Sequence, residues 1–564
     1  MEGIIGSFFM SFAVVVTVGV MVSLFVSLSL TPALCARHLT YSSEHGPLYR
    51  NIERMFRALD DAYRRLIGSG LKHRKLVLLA AFLAVLTSAF FFSQVDKGFM
   101  PEEDDGRFVI AVKAPLGSSI GYTESKIRDI EKILQEYPSI TTSFATIGED
   151  SARQVSQASI VVNMQHWDDR DIGQGEVMET LRERFREIPG IETFVTEVPQ
   201  VGGMRGDPLQ FVLRGPDLER VAELAAALRQ KLMEDPEIGN LDLLLQLELP
   251  QLEMAPNRER IRDLGLTTRD VALAVNVLSG GYDVARYNDE PGDGERYDVR
   301  LKAGEGSLQQ APDLSRIYLR TPAGDLVRLD NLVEMERSLG PAVVSRYDLQ
   351  YSAQFLGTPR MAEAAAITYV EETARAMLPP GYGVQMIGRS SEFGKTVYYM
   401  LFAFVTALIL VYMVLASQFN SFVQPLIIMV AQPLAIIGGV GALWIVGHSL
   451  NIYSMIGLVL LVGLVAKNSI LLVDLTNQMR EEGMGINEAL LAACPVRMRP
   501  VLMTSATVIL ALLPAAVGLG AGSDTNGPLA VAVIGGLVSS TLLTLVVVPS
   551  LYSLVEHRME RFRR

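Results

Sequence analysis

The stretch "GLVLLVGLVAKNSILLVDL", Gly457 to Leu475, places Lys467 inside an apolar run long enough to cross a bilayer. An ammonium at that depth costs from about 2.5 to well over 10 kcal/mol unless it is paired, hydrated or neutral. With helix entry near Ile452, Lys467 lies 15 residues in, about 22 Å along the axis. Asp474 follows on the same helix face about 10 Å deeper, where it reaches water and cannot be the sole partner. A second polar group comes from "RMRPVLMTSATVIL". Pro500 suits a first helical turn, and Thr504, four residues on, then lies about 6 Å into the membrane from the same side. Lys467 and Thr504 thus match in depth, but a hydroxyl does not neutralise an ammonium and no other span carries a central Asp or Glu. Two readings stay open. One is a structural lysine held by backbone carbonyls and Asn468. The other is a proton relay, in which a carboxylate elsewhere takes up a proton, releases Lys467 and lets helices shift.

The elements that must position these groups follow from hydropathy. The chain has 564 residues, 49% of them hydrophobic, and a mean hydropathy of +0.27, too long for one domain and too apolar for an ordinary soluble protein. Runs of spanning length occur near 8–34, 76–95, 397–416, 422–447, 452–475, 500–519 and 528–555. Between the second and third, residues 97–395 have soluble composition, with 49 Asp and Glu against 33 Lys and Arg. The net charge of −12 therefore comes from this module, which argues against nucleic-acid binding. The fold class is a polytopic α-helical membrane protein of about seven transmembrane helices carrying a large α+β module.

Basic residues set the orientation. The 37–75 segment, "RMRP" at 497–500 and the tail "HRMERFRR" fall on one side if seven helices alternate. That side is the cytoplasm, and the module faces out. The same count puts Met1 outside with no basic start or cleavage site before the first span, so the chain reads as the rear part of something longer. Cys35 and Cys494 are the only cysteines, so the module folds without disulfides. No His or Cys pair has metal-ligand spacing, which argues against a structural zinc site.

In "GPLYRNIERMFRALDDAYRRLIGSGLKHRK" apolar residues recur at three and four among arginines, predicting a basic amphipathic helix on the cytoplasmic membrane surface in preference to a solvated linker. The module alternates strands ("GRFVIAVKAPLG", "TTSFATIG", "ASIVVNMQHW", "ETFVTEV") with helices ("YTESKIRDIEKILQEYP", "EVMETLRERFREI"). A second series starts at "PLQFVLRG" and runs through "QLEMAPN" to the helix "TTRDVALAVNVL". The two series predict repeated, split β-α-β units of ferredoxin-like kind. Two strand-like runs around an acidic, Gly- and Pro-rich turn within 279–306 predict a hairpin, ordinary or protruding.

Four ordered motifs, "FMPEEDDGRFVIAVKAP", "LVYMVLASQFNSFVQPLIIMVAQPLAIIGG", "GLVLLVGLVAKNSILLVDL" and "RMRPVLMTSATVILALLP", resemble the C-terminal half of a resistance, nodulation and cell division (RND) efflux transporter of the hydrophobe/amphiphile type of Gram-negative bacteria. The resemblance covers essentially the whole chain. It implies a homotrimeric inner-membrane antiporter, driven by protons with no further cofactor, that moves amphiphilic, drug-like compounds through a periplasmic adaptor to an outer-membrane channel. Lys467 and Thr504 match the family's relay residues and Arg497 a cytoplasmic-side arginine linked to proton passage. The paired relay aspartates belong to a fourth helix outside this chain, so an N-terminal half is the expected partner. The implied division is helix six (1–36), the amphipathic helix (37–75), helix seven (76–96), porter subdomains (97–256), a docking subdomain with protruding hairpin (257–350), a return to the porter (351–395) and helices eight to twelve (396–564).

Phe144 matches an aromatic of the deep drug pocket, although on residue type alone a core aromatic serves equally. The sequence departs from multidrug members just beyond it. Gly148, Glu149 and Asp150 replace a Phe- and Gly-rich loop, and an anionic lining there favours cationic substrates. Two other classes compete with a pump subunit: a nonpumping membrane protein whose module binds a partner, and a metal exporter. The latter needs clustered Met or His, and Met164, Met204 and Met254 are dispersed. No nucleophile elbow, phosphate loop or metal spacing points to an enzyme.

Overall fold

The computed structural model describes residues 3–38, 47–101, 103–148, 154–199, 206–288, 296–304, 311–519 and 522–563. Seven helices among them are long and apolar enough to span a membrane. The first segment is built from α1 (Gly3–Leu28) and α2 (Leu30–His38). Pro32 falls in the first turn of α2, where its missing N–H removes no helical bond. The amphipathic helix α3 (Pro47–Lys72) leads into the second span, α4 (Arg74–Gln94).

The apolar stripe of α3 serves two surroundings. Tyr63 and Ile67 are buried in a core shared with Leu472, Leu490, Cys494 and Tyr552, whereas Met55, Leu59 and Leu66 stay exposed. The Tyr63 hydroxyl donates to the Leu545 carbonyl at 2.8 Å, and burial holds its proton on far above the ordinary phenol value. The helix is thus docked on the bundle as well as amphipathic.

The module opens with β1 (Arg107–Lys113), α5 (Ile120–Leu134), β2 (Ile140–Ile147), β3 (Gln157–Met164), α6 (Gln174–Phe185) and β4 (Glu192–Glu197). All its pairings are antiparallel, in the order β2-β3-β1-β4. Alternate residues of β1 and β3, including Phe108, Ile110, Ile160 and Val162, are buried against Ile127, Ile130 and Leu181 of the two helices, as a one-sided sheet requires. This is a βαββαβ, ferredoxin-like unit.

A second unit begins with β5 (Leu209–Gly215), α7 (Leu218–Leu232) and β6 (Leu241–Leu243). The chain then leaves it. β7 (Leu249–Pro256), α8 (Arg258–Asp263), α9 (Thr268–Ser279), β8 (Tyr282–Tyr287), β9 (Tyr297–Leu301), β10 (Tyr318–Arg320), β11 (Leu326–Arg328) and β12 (Val333–Gly340) form an insertion with its own core around Ile261, Val271, Leu329 and Leu332. The chain returns through β13 (Arg346–Tyr347), β14 (Gln350–Gly357), α10 (Glu363–Met377) and β15 (Gly383–Met386). β14 pairs with β5 and β6, and β15 with β5, completing the same strand order.

The periodicity reading that ran the second ferredoxin-like series from "PLQFVLRG" through "QLEMAPN" to the helix "TTRDVALAVNVL" is corrected here. β7 pairs along its whole length with β12, Leu249 opposite Gly340 and Pro256 opposite Val333, so "QLEMAPN" belongs with the insertion. α9 likewise starts from a capping box, Thr267 with Asp270, inside that insertion. Local periodicity identified these elements correctly, but strand pairing is non-local and a run of eight residues does not reveal its partner. β8 and β9 form the predicted hairpin, whose tip at 289–295 lies outside the described residues.

The two ferredoxin-like units are tied by a buried ion pair between Lys113, at the end of β1, and Asp242 of β6. The Lys113 ammonium also lies 5.9 Å from the Phe194 ring centroid.

The last five spans are α11 (Gly388–Phe419), the pair α12 (Gln424–Met429) and α13 (Ala431–Val446), then α14 (Ile452–Glu481), α15 (Ile486–Ala516) and α16 (Ser523–Arg563). α13 and α16 meet through small residues, where a Cβ on Gly438 would collide with the Gly535 carbonyl and the Ser539 side chain. Such close backbone approach is how helices associate where water supplies no driving force. α15 starts at Ile486, so Pro500 is interior and not in a first turn. The segment before it is helical because Ala489, Leu490, Ala493 and Cys494 supply a buried face.

Candidate functional site

The short turn at 482–485 makes α14 and α15 antiparallel neighbours. Asn468 Nδ2 donates to Ser505 Oγ at 3.4 Å, and Ser505 Oγ lies 2.8 Å from Thr541 Oγ1 on α16. All three side chains are buried. This hydroxyl and amide chain fixes which residues share a level, replacing the depth argument that started from Pro500. One residue back from Asn468 is Lys467, and one back from Ser505 is Thr504. A step of one residue turns a side chain by about 100°. In antiparallel helices the two turns carry Lys467 and Thr504 to the same flank of the pair.

Lys467 is exposed on that flank and makes no side-chain hydrogen bond or ion pair with any described residue. Its neighbour Asn468 bonds elsewhere, so the asparagine does not hold the lysine. Thr504 is half-buried and its hydroxyl donates back to the Val501 carbonyl at 3.0 Å. Arg497, half-buried on α15, has a buried Nε with no partner among the described residues. Asp474 accepts from Gln478 at 2.9 Å. The structure therefore brings Lys467 and Thr504 to one flank and leaves the lysine without a carboxylate among the described residues.

Sequence reasoning missed the buried polar seam behind this flank. Besides the bonded Asn468, Ser505 and Thr541, the hydroxyl residues Ser469, Ser540 and Thr544 of α14 and α16 are 0% exposed, their hydroxyls without a hydrogen-bond partner among the described residues. The signal was present in "SSTLLT", whose hydroxyls in an apolar span mark a helix contact. At the far end of the bundle, Arg480 donates to Tyr552 at 2.9 Å and Glu556 at 2.8 Å, and Tyr552 donates to Asn477 at 2.6 Å. Arg499, not Arg497, reaches α3: it donates through Nε to Asp60 at 3.1 Å and lies 3.5 Å from Glu53.

The module holds a cavity of about 620 Å³ between its two ferredoxin-like units, walled by β4, one face of α6 along its length, Gly206, Pro208, part of α7, residues 358–360 and Arg389. Ile191, Pro208, Met233 and Pro359 supply apolar surface, whereas Phe185, Phe194 and Met178 back the wall from the core. Glu179 accepts from Arg182 at 2.9 Å and Arg360 at 2.7 Å. The Arg182 bond first, then Arg360, holds its carboxyl below the usual range. Glu192 lies 3.6 Å from Arg229, and Glu197 lies 3.8 Å from Arg389.

Arg389 sits in the first turn of α11, where module meets membrane. Beside it Glu363 is buried, accepts the Phe99 N–H at 3.0 Å and stands 3.9 Å from Arg389 Nε. Burial pushes the Glu363 carboxyl above its ordinary value, against the opposing pull of Arg389 and the Phe99 N–H.

Phe144 lies on β2, the sheet edge opposite β4, and is 70% exposed. It neither lines this cavity nor packs in the core, so the core-aromatic alternative is overturned. Glu149 and Asp150, on which the cationic preference rested, lie outside the described residues.

Seven helices of spanning length among the described residues, a module of two ferredoxin-like units and an insertion between β6 and β14 define the architecture of a multi-pass membrane protein. A family model for the AcrB/AcrD/AcrF family matches residues 1–556, and the chain belongs to that family. Among solved structures, the X-ray structure of a heavy metal efflux pump superposes with a TM-score of 0.79 at 23% identity, covering 88% of this chain and 52% of that one. The chain spans about half the length of that pump, and the likeness is one of fold.

Proposed function

We propose that this chain is the C-terminal part of a proton-driven exporter of amphiphilic compounds. It acts from the inner membrane in a trimer, with a periplasmic adaptor and an outer-membrane channel. The observation that carries the reading is the exposed Lys467, without an ion-pair partner among the described residues, sharing a flank with Thr504. Facing lipid, that ammonium would cost about 3 kcal/mol or more; facing a carboxylate on a helix outside this chain, it is the fixed half of a switchable pair. Protonation of the carboxylate removes its charge and frees Lys467, and the α14–α15 flank then moves relative to its partner. Thr504 gives the freed ammonium a hydroxyl acceptor at the same level.

Motion reaches the module directly, since only Ile387 separates β15 from α11. The cavity beside that junction is the cargo site in this reading. Its volume suits a drug-sized molecule, and apolar patches beside five arginines and three glutamates suit an amphiphile. The test is efflux from cells lacking their own pumps, comparing this chain alone, this chain with a supplied front half, and the latter with Lys467→Ala. Pumping by the paired, unmutated form alone supports the reading. Pumping by no form, with expression and adaptor verified, favours the nonpumping alternative.

A further inference from the structure

Lys72 ends α3, His73 makes the bend, and Arg74 and Lys75 open α4. The bend is tight. A Cβ on Gly70 would lie 4.0 Å from Val77 across it and 3.5 Å from Val546 and Ser550 of α16, so Gly70 and Val77 form its inner side. Arg74 donates to Ser553 of α16 at 3.3 Å, while Lys72 and Lys75 are exposed. The three cations span four residues, which keeps their Cα atoms within about 11 Å of one another. None has an acidic partner among the described residues. The acids near the end of α16 are engaged elsewhere, Glu556 and Glu560 both standing on Arg480. α4 also begins with no acidic residue in its first turn and no side-chain cap, so its first N–H groups add to the positive field.

An apolar stripe leads away from these charges. Counting from Lys75, the residues Leu79, Phe82, Leu86 and Phe90 follow at steps of four, three, four and four, which is one face of α4. Each is more than half exposed. The opposite face, with Val77 and Ala81, packs on Leu434 and Val547. From Leu79 to Phe90 the stripe covers about 16 Å of helix axis, the depth of one leaflet in a hydrocarbon core roughly 30 Å thick.

We propose that the elbow between α3 and α4 binds an anionic phospholipid, its phosphate on Lys72, Arg74 and Lys75 and an acyl chain along the stripe from Leu79 to Phe90. The site lies at the end of α4 opposite the module, since the other end of α4 leads into β1. Unpaired basic groups beside a spanning helix attract acidic head groups, and lysine stems cover apolar surface while holding their charge at head-group level. The combination selects a lipid over a free anion, because only a lipid uses the charges and the stripe together. The inference goes beyond the transport reading and does not depend on it.

The test is native mass spectrometry of the full chain, delipidated in a neutral detergent and titrated with dioleoylphosphatidylglycerol or dioleoylphosphatidylcholine. The two lipids share their chains and phosphate and differ in net charge. Phosphatidylglycerol is expected to bind at least about tenfold tighter, with a preference that shrinks as salt rises. Lys72→Gln with Lys75→Gln, at exposed side chains, should cut that preference to about threefold or less and leave the unfolding temperature without lipid unchanged. Arg57→Gln with Arg64→Gln removes the same number of cations from the face of α3 turned about 160° from Leu59 and Leu66, and should leave the preference intact.

Equal binding of the two lipids overturns the proposal, as does a preference that survives loss of both lysines. A preference that falls as far in the Arg57 and Arg64 variant also overturns it, since the helix would then attract anions without a defined site. Inorganic phosphate at the lipid's concentration should not displace phosphatidylglycerol. Displacement would mark a free-anion site and overturn the assignment to a lipid.

Discussion

Lys467 and Asn468 are adjacent in sequence and face opposite surroundings. The asparagine, 3% exposed, is bonded to Ser505, while the lysine is exposed on the outer flank of the bundle. The structural and the functional polar groups of α14 are therefore different residues, although either could have been chosen to explain a charge in an apolar helix.

Their separation predicts opposite mutational signatures. Asn468→Ala should lower the stability of the chain in detergent by about 1 kcal/mol, the usual size of a hydrogen bond between membrane helices. Lys467→Ala should change it by less than about 0.5 kcal/mol, as for a group without partners. Thermal unfolding of the two variants checks this. A larger loss for Lys467→Ala would revive the structural-lysine reading.

The buried pair of Lys113 and Asp242 should behave as a tie between the two ferredoxin-like units. Asp242→Ala strands a buried ammonium and is expected to destabilise the module by about 3–5 kcal/mol, whereas replacing both partners with apolar residues of similar size should lose far less. Denaturant unfolding of the single and double variants measures the difference.

Gly438 has no room for a side chain against Gly535. Gly438→Leu should force α13 and α16 apart and cost about 1–3 kcal/mol or more, read as a lower unfolding temperature and faster hydrogen exchange in both helices.

The raised carboxyl of Glu363 makes a pH prediction. The folded chain holds that proton more tightly than the unfolded one, so stability falls as pH rises from the ordinary carboxylate value through the raised one and is level beyond it. Glu363→Gln removes this dependence. The unfolding temperature of wild type relative to Glu363→Gln should therefore be highest below the ordinary carboxylate value and fall as pH rises above it. A difference independent of pH would contradict the shift.

Much of this was legible in the sequence because it is local. The spans follow from runs of spanning length, and α5, α6 and α7 from apolar residues three and four apart. What was not legible is non-local. Nothing in "QLEMAPN" says that its partner is Val333–Gly340 across an insertion, and nothing in "RMRP" says that Arg499, not Arg497, reaches Asp60. Pro500 misled for a physical reason. A proline suits a first turn, but tertiary packing of Ala489, Leu490 and Ala493 carries the helix through it. The cavity was invisible because its arginines come from α6, α7, the 358–360 segment and α11, which only the fold assembles.

The most direct test of the relay is proton-coupled efflux of a fluorescent amphiphile from cells without pumps of their own. The chain is paired with a front half carrying adjacent aspartates, with and without Lys467→Ala. The account predicts efflux that collapses with the proton gradient and is lost in Lys467→Ala at equal expression. Undiminished efflux in that variant, or efflux by this chain alone, would contradict it.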